Sequence, residues 1–229
     1  MKNSKNYSGW ELETFDNAEN FRNYQFDLFK NFIRNKKILD VGSGSGGLVK
    51  YYQRVTNKID LFEPSKKQFL QLKEKIKDCK IINTKPKLKN KYDVILFMDV
   101  IEHIKNSKKE ILFYKKKLKK GGLLIFNVPS FNFLYTKFDQ EVGHIKRYNV
   151  KDFYEISEKL KLDILKINYY DSIGFLLLLL NKLLFKKTLN KNKIKYATII
   201  WNKLIYLSRY IDKLIMNMFG KSLFCVLRK

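Results

Sequence analysis

From about residue 36 the chain alternates between two hydrophobic periods. Short, nearly continuous apolar runs give way to stretches in which apolar residues recur every third or fourth position. The first pattern reads as buried strand and the second as amphipathic helix. It predicts strands near 36–41, 58–62, 81–82, 92–98, 122–128, 162–170 and 222–228. Helices are predicted over 47–54, 65–77, 107–120 and 150–160. Ser65 stands at an N-cap position, and the third of these helices runs into lysines and Gly121-Gly122, a C-terminal signature. Strand and helix in strict alternation imply an α/β fold with a mostly parallel, seven-stranded, Rossmann-like sheet.

The flanks read differently. Residues 1–17 carry Tyr7 and Trp10 in an irregular arm, and Ala18, Phe21, Tyr24, Leu28 and Phe32 then follow helical spacing. Of that helix, Tyr24 is the residue expected to line a ligand cleft. Residues 129–149 read as a long polar loop. Residues 173–219 predict two strongly apolar helices before the last strand. The first runs from Phe175 through Leu183-Leu184-Phe185 to Lys186-Lys187. The second, Ile194 to Phe219, sets Lys195, Thr198, Asn202, Arg209 and Lys213 on one stripe. Ile199, Ile200, Leu204, Leu207, Ile211, Leu214 and Ile215 take the opposite face. Two readings of this insert stay open. It packs on the sheet or on a second copy, or it rests on an anionic bilayer. Neither helix reads as a membrane span. One domain is expected over 1–229, divided as arm and helix 1–35, ligand-binding core 36–130, acceptor loop and sheet completion 131–172, helical insert 173–219 and final strand 220–229.

Composition changes the picture little. The 47 basic and 22 acidic residues leave a formal charge of +25. Only six of the basic residues are arginine, and they are spread evenly, as on a solvated surface rather than a nucleic-acid stripe. No nucleic-acid partner is expected. The two cysteines form no framework, which suits a reducing compartment. Met1 to Phe15 is too polar for a signal peptide. A cytoplasmic protein is expected, either free or peripheral on the inner membrane face.

The candidate chemistry begins at Asp40-Val41-Gly42-Ser43-Gly44-Ser45-Gly46-Gly47. Glycines between a strand and a helix let a ligand approach bare backbone and free N–H groups. The spacing fits both G-x-G-x-x-G and G-x-G-x-G preceded by an acid. Glu63, ending the second strand, is placed to accept ribose hydroxyls from either kind of nucleoside cofactor. Asp40 favours a ligand with a cationic amino-acid tail over a nicotinamide dinucleotide. The second segment is Met98-Asp99-Val100-Ile101-Glu102-His103. The only histidines in the chain are His103 and His144, and the latter lies in Asp139-Gln140-Glu141-Val142-Gly143-His144-Ile145-Lys146-Arg147-Tyr148. An imidazole there suits general-base work on a hydroxyl, or a loop-fixing bond to Asp139 or Tyr148.

Residues 36–130 resemble the class I S-adenosylmethionine (SAM) methyltransferases, through the glycine motif, Glu63, the D-V-x-E-H segment and the strand from Leu118. The 139–148 loop resembles the D-x-x-x-G-H-x-R-R-Y loop of bacterial methyltransferases associated with glycan and lipid assembly, and Phe219-Gly220-Lys221-Ser222-Leu223 resembles their P-F-G-x-S-L ending. The resemblance implies that Asp40, Gly42, Ser43, Gly44 and Gly46 hold the methionine end of SAM. It gives the ribose to Glu63, the adenine to Pro64, and closure of the cleft to Met98 and Asp99. Asp99, His103 and His144 are the catalytic candidates, and no metal is expected. The reaction implied is methylation of a small-molecule, lipid or glycan acceptor, most simply on a hydroxyl. The family's adenine-contacting acid after the third strand is absent; Asn83 or Thr84 stands there. The amine-methylating N-P-P-Y loop is also absent. The rival readings are an NAD-dependent enzyme and a basic membrane- or RNA-binding protein with an empty site.

Overall fold

The computed structural model describes residues 10–87, 92–184 and 191–229. The arm around Tyr7, and the basic stretch Phe185 to Lys187, lie outside them. Among the described residues seven strands form one sheet: β1 (Ile38–Val41), β2 (Ile59–Phe62), β3 (Lys80–Ile82), β4 (Tyr92–Met98), β5 (Leu118–Pro129), β6 (Asp163–Tyr170) and β7 (Ser222–Arg228). Their order is β3-β2-β1-β4-β5-β7-β6. All neighbours are parallel except β7, which runs antiparallel between β5 and β6. The sheet reverses direction of growth between β1 and β4, the point where an open α/β sheet leaves a crevice at its carboxyl edge.

Each central strand sends alternate side chains to opposite faces, as strand geometry requires. Val94, Leu96, Ile125 and Val226 join one apolar core, while Ile95, Phe97, Phe126 and Cys225 join the other. On the first face lie α2 (Glu19–Ile33), the short α3 (Val49–Tyr52) and α9 (Lys191–Leu214), through Phe26, Phe29, Tyr52, Trp201 and Ile205. On the second lie α5 (Ser107–Lys115) and α7 (Val150–Leu160), through Ile111, Tyr114, Phe153 and Ile156. A strand buried on both sides has no polar face to show, which is why β4 reads as a nearly continuous apolar run interrupted only by Asp93.

Three expectations are corrected. The helix expected over 107–120 stops at Lys115, because Leu118 pairs with Tyr92 and starts β5. The register then shifts so that Val94 meets Leu123, and Lys119 to Gly122 bulge outward; the glycines mark that bulge rather than a helix end. Residues within 1–17 form a helix, α1 (Trp10–Asp16). Tyr24 does not line the cleft: it is buried, and its hydroxyl donates to Asp212 at 2.8 Å. Ser65 precedes α4 (Lys66–Lys75) as expected but makes no side-chain cap bond.

The insert before β7 comprises α8 (Ser172–Leu184) and α9, and polar residues fasten it. The Asp171 carboxylate accepts from Gly174 N at 2.9 Å, Ser208 Oγ at 3.1 Å and Trp201 Nε1 at 2.9 Å. Asp212 accepts from Asp171 N at 2.6 Å, Ser172 N at 2.9 Å and Tyr24. The buried face of α9 thus carries Thr198, Ser208 and Asp212 beside Trp201 and Ile205, while Ile199, Ile200, Leu207 and Leu214 are exposed. Leu176, Leu180 and Leu183 of α8 are exposed as well. Much of the apolar face expected in the sequence therefore does not pack on the sheet. Among the described residues no helix is long and apolar enough to cross a membrane.

Candidate active site

The loop after β1 is set by three residues with positive φ: Gly42 (+72°), Gly44 (+55°) and Gly46 (+81°), a region costly for any side chain bearing a Cβ. Gly42 N and Ser43 N donate to Phe62 O at 2.7 and 3.1 Å, which ties the loop to the end of β2. Glu63, one residue on, accepts from Gly44 N at 2.8 Å and from Ser65 N at 2.7 Å. Burial nonetheless raises its carboxyl above the usual range, against the pull of those two N–H groups. Asp40, also buried, is pushed up to about 7, chiefly by burial. Asp40, Gly42, Ser43, Gly44, Glu63, Pro64, Met98 and Asp99 all line one cleft. Gly46 does not. It is buried behind the loop, where an added Cβ would come within 2.7 Å of Leu72 Cδ1; Gly47 faces the cleft instead. Asn83 and Thr84 are exposed and stand outside it.

Helices α1 and α2 cover this loop. Leu12 lies over Gly44, and Asp16 over Gly47, with the Ser45 hydroxyl donating to Asp16. Arg22 donates to Asp16 Oδ1 at 3.0 Å and to Gln25 Oε1 at 2.9 Å, while its Nε has no hydrogen-bond partner among the described residues. Asp16 and Arg22 line the cleft but were not singled out in the sequence, where an isolated acid and base carry no motif.

The two motif segments, far apart in sequence, meet at the other end. After β4, Asp99 adopts φ +58°, a conformation held here by its N–H to Asn127 O at 2.9 Å and by Asn127 Nδ2 to its carboxylate at 2.6 Å. Such a left-handed non-glycine residue costs about 1–2 kcal/mol and needs surroundings that enforce it. The following turn, Val100 to His103, is bound to the 139–148 loop at three points. Ile145 N donates to Glu102 O at 2.8 Å, Tyr148 Oη to Ile101 O at 3.1 Å, and His103 Nδ1 lies 3.2 Å from Gly143 O. The two imidazoles consequently stand edge to face, with ring centres 4.8 Å apart.

Asp139 organises that loop. It begins the short α6 (Lys137–Glu141), accepting from Thr136 N at 2.8 Å, and it accepts from Arg147 Nε and Nη2 at 3.0 and 3.1 Å. It also meets His144 Nδ1 at 2.7 Å, the loop-fixing bond foreseen in the sequence. Burial opposes ionisation, yet the bond to His144 and the Arg147 charge win and hold Asp139 at about 2. Burial, and then the neighbouring His144, lower His103 to about 4, so its ring is neutral near pH 7. Glu102 is fully buried with no hydrogen-bond partner on either carboxylate oxygen among the described residues. Burial and the nearby Asp99 raise it well above the carboxylate range. The sequence offered Glu102 only as a letter of a motif; its isolation is visible only in three dimensions.

The cleft encloses about 1650 Å³. The glycine loop forms one end, Glu102, His103 and His144 another, and Leu177, Leu178, Ile200 and Trp201 of the α8–α9 hairpin a third wall. Lys221 reaches in beneath Trp201, its Nζ 3.3 Å from the indole centre and 3.5 Å from Asp171 Oδ2. Burial lowers its pKa despite the Asp171 charge.

Residues 12–167 match a protein-family model described as a methyltransferase domain. No curated protein matches the chain. A SAM-dependent methyltransferase from Archaeoglobus fulgidus superposes with a TM-score of 0.58 at 14% identity, covering 91% of this chain and 94% of that one. The phosphoethanolamine N-methyltransferase 2 of Haemonchus contortus, solved with S-adenosyl-L-methionine, superposes with a TM-score of 0.58 at 18% identity, over 90% of this chain and 52% of its own. At these identities the likeness establishes the fold.

Proposed function

The chain belongs to the methyltransferase-domain family, and from that premise we propose that it is a SAM-dependent enzyme that methylates a hydroxyl on a lipid- or glycan-linked acceptor held at an anionic membrane surface. The cofactor end of the cleft fits SAM in its chemistry. Asp40 and Asp99 offer negative charge to a ligand with an ammonium and a sulfonium, and Arg22 Nε, which has no partner among the described residues, offers a donor to its carboxylate. Glu63 offers its carboxylate to the ribose, beside the positive-φ backbone of Gly42 and Gly44. When bound, SAM supplies an electrophilic methyl carbon. The chain's own work is then to align an acceptor oxygen, exclude water and take a proton.

The alignment falls to the far end of the cleft. With Nδ1 engaged by Asp139, His144 keeps one ring nitrogen for the cleft, the arrangement of an oriented general base. Replacing it by alanine should lower turnover by about 10²–10⁴-fold and leave SAM affinity nearly unchanged. Parent-like turnover would reduce His144 to a loop anchor.

The single observation carrying the acceptor reading is the α8–α9 hairpin, which walls the cleft with one side and exposes apolar residues on the other. Leu183 and Leu214 are each 66% exposed and Leu207 51%, with Tyr196, Tyr206 and Tyr210 beside them. Lys195, Lys203 and Lys213 add positive charge. An apolar face with aromatic and lysine margins suits the boundary of an anionic bilayer, and the adjoining wall suits the tail of an acceptor drawn from it. Flotation with anionic liposomes tests this. Co-flotation at low salt, weakened by high salt and absent with neutral vesicles, is expected. A protein that stays with the soluble fraction and is dimeric would assign the face to a second copy.

A further inference from the structure

The acceptor end of the cleft holds a cluster that the methyl-transfer reading does not use up. Glu102, His103 and His144 each bring one potential ligand atom, and these atoms lie within 4.8 Å of one another. Around a bound Zn²⁺, nitrogen and oxygen ligands at roughly 2.0–2.2 Å stand about 3.4 Å apart, so side-chain movement of about 1 Å closes the set. Glu102 supplies the independent reason to expect a ligand. Its carboxylate is fully buried in the wall of the cleft, and neither oxygen has a hydrogen-bond partner among the described residues. A buried carboxylate left unpaired is costly, and a cation removes that cost.

The surroundings are those of a metal site. Metal-bound histidines commonly pass their other ring nitrogen to a carboxylate or a backbone carbonyl, which fixes the ring and its tautomer. Both patterns occur here: His144 Nδ1 meets Asp139, itself gripped by Arg147, and His103 Nδ1 faces Gly143 O. The three contacts between the 100–103 turn and the 139–148 loop bring the two halves of the set together.

We propose that Glu102, His103 and His144 bind a divalent first-row transition ion of the Zn²⁺ kind, leaving coordination positions open to an acceptor oxygen. Two imidazoles and one carboxylate select such an ion over Mg²⁺ or Ca²⁺, which take oxygen ligands. The proposal rests on the methyltransferase reading only for calling this end of the cleft the acceptor end. It replaces the sequence expectation of a metal-free site, and it recasts His144 from a free base into a ligand that holds the acceptor's anchor.

Because the chain has no histidine besides these two, a cobalt–imidazole signature from untagged protein can arise at no other place. Metal-stripped protein is titrated with Co²⁺ and followed by visible absorption, with SAM binding measured by calorimetry on the same sample. One equivalent of Co²⁺ should produce ligand-field bands that Zn²⁺ abolishes. H103A, H144A and the near-isosteric E102Q should each lose them, with circular dichroism confirming that the variants fold. Asp139→Asn should weaken Co²⁺ binding by about 10–100-fold. No bands from folded, SAM-binding protein, or bands that survive in both histidine variants, would overturn the site. A cobalt site in protein that ignores SAM would instead sink the methyltransferase reading and leave the metal standing.

Discussion

At the residue scale, spacing singled out residues at strand ends. Asp40, Gly42, Ser43, Gly44 and Glu63 sit at fixed offsets from the ends of β1 and β2, and all five line one cleft; that they hold SAM is the proposal. Glu63 proves to do two things, bracing Gly44 and Ser65 as well as facing the cleft. Glu63→Ala should therefore weaken SAM binding by about tenfold or more, from the roughly 1.5–3 kcal/mol of hydrogen bonds to a charged group. Calorimetry that finds the parent affinity would remove it from the site. Asp40 carries a pH signature. Its folded pKa, about 7, stands above the usual carboxylate value, so the free protein holds a proton that the unfolded chain has lost. This group's contribution to stability therefore falls as pH rises from about 4 to about 7. A cationic ligand beside it favours the ionised form. SAM binding should then release a proton near neutrality and tighten between about pH 6 and 8, and the dependence should vanish in Asp40→Asn. Gly46 and Tyr24 were misplaced for one reason: a motif or a period fixes which residues share a turn, not which way the turn faces.

At the element scale, strands that alternate between two cores were legible, and so was α7, whose limits match the spacing. The end of α5 was not, because Lys116 to Lys120 continues a helical pattern while Leu118 is claimed by a strand partner, Tyr92, far away in sequence. The short α6 hides in a polar loop, although Thr136 and Asp139 stand at capping-box spacing and could have marked it. The α8–α9 hairpin shows what a helical period cannot decide. Its polar stripe faces partly inward because Asp212 is needed there. Asp212→Ala should leave the Asp171 and Ser172 N–H groups and the Tyr24 hydroxyl unpaired, at about 1–3 kcal/mol for each group that finds no other partner. Hydrogen exchange is expected to quicken across 172–214 before the sheet loosens. Uniform quickening over the whole chain would mean that the hairpin and sheet open as one unit.

At the scale of the whole molecule, the strand alternation announced a mostly parallel sheet, and the structure adds the single antiparallel insertion of β7 between β5 and β6. That insertion governs how the protein can be made. A ribosome releases β6 long before β7, its neighbour in the sheet. The stretch from Asp171 to Lys221 must be synthesised in between, at about 5–20 residues per second, which is about 3–10 s. Throughout that interval two strand edges lie open, and the newest segment in view is the most apolar hairpin of the chain. A nascent chain in this condition carries apolar surface and open strand edges together, the combination most exposed to aggregation until the hairpin is covered. On the proposed membrane reading, the bilayer that receives the hairpin of the finished enzyme also covers that of the unfinished one and keeps it from its neighbours on the polysome.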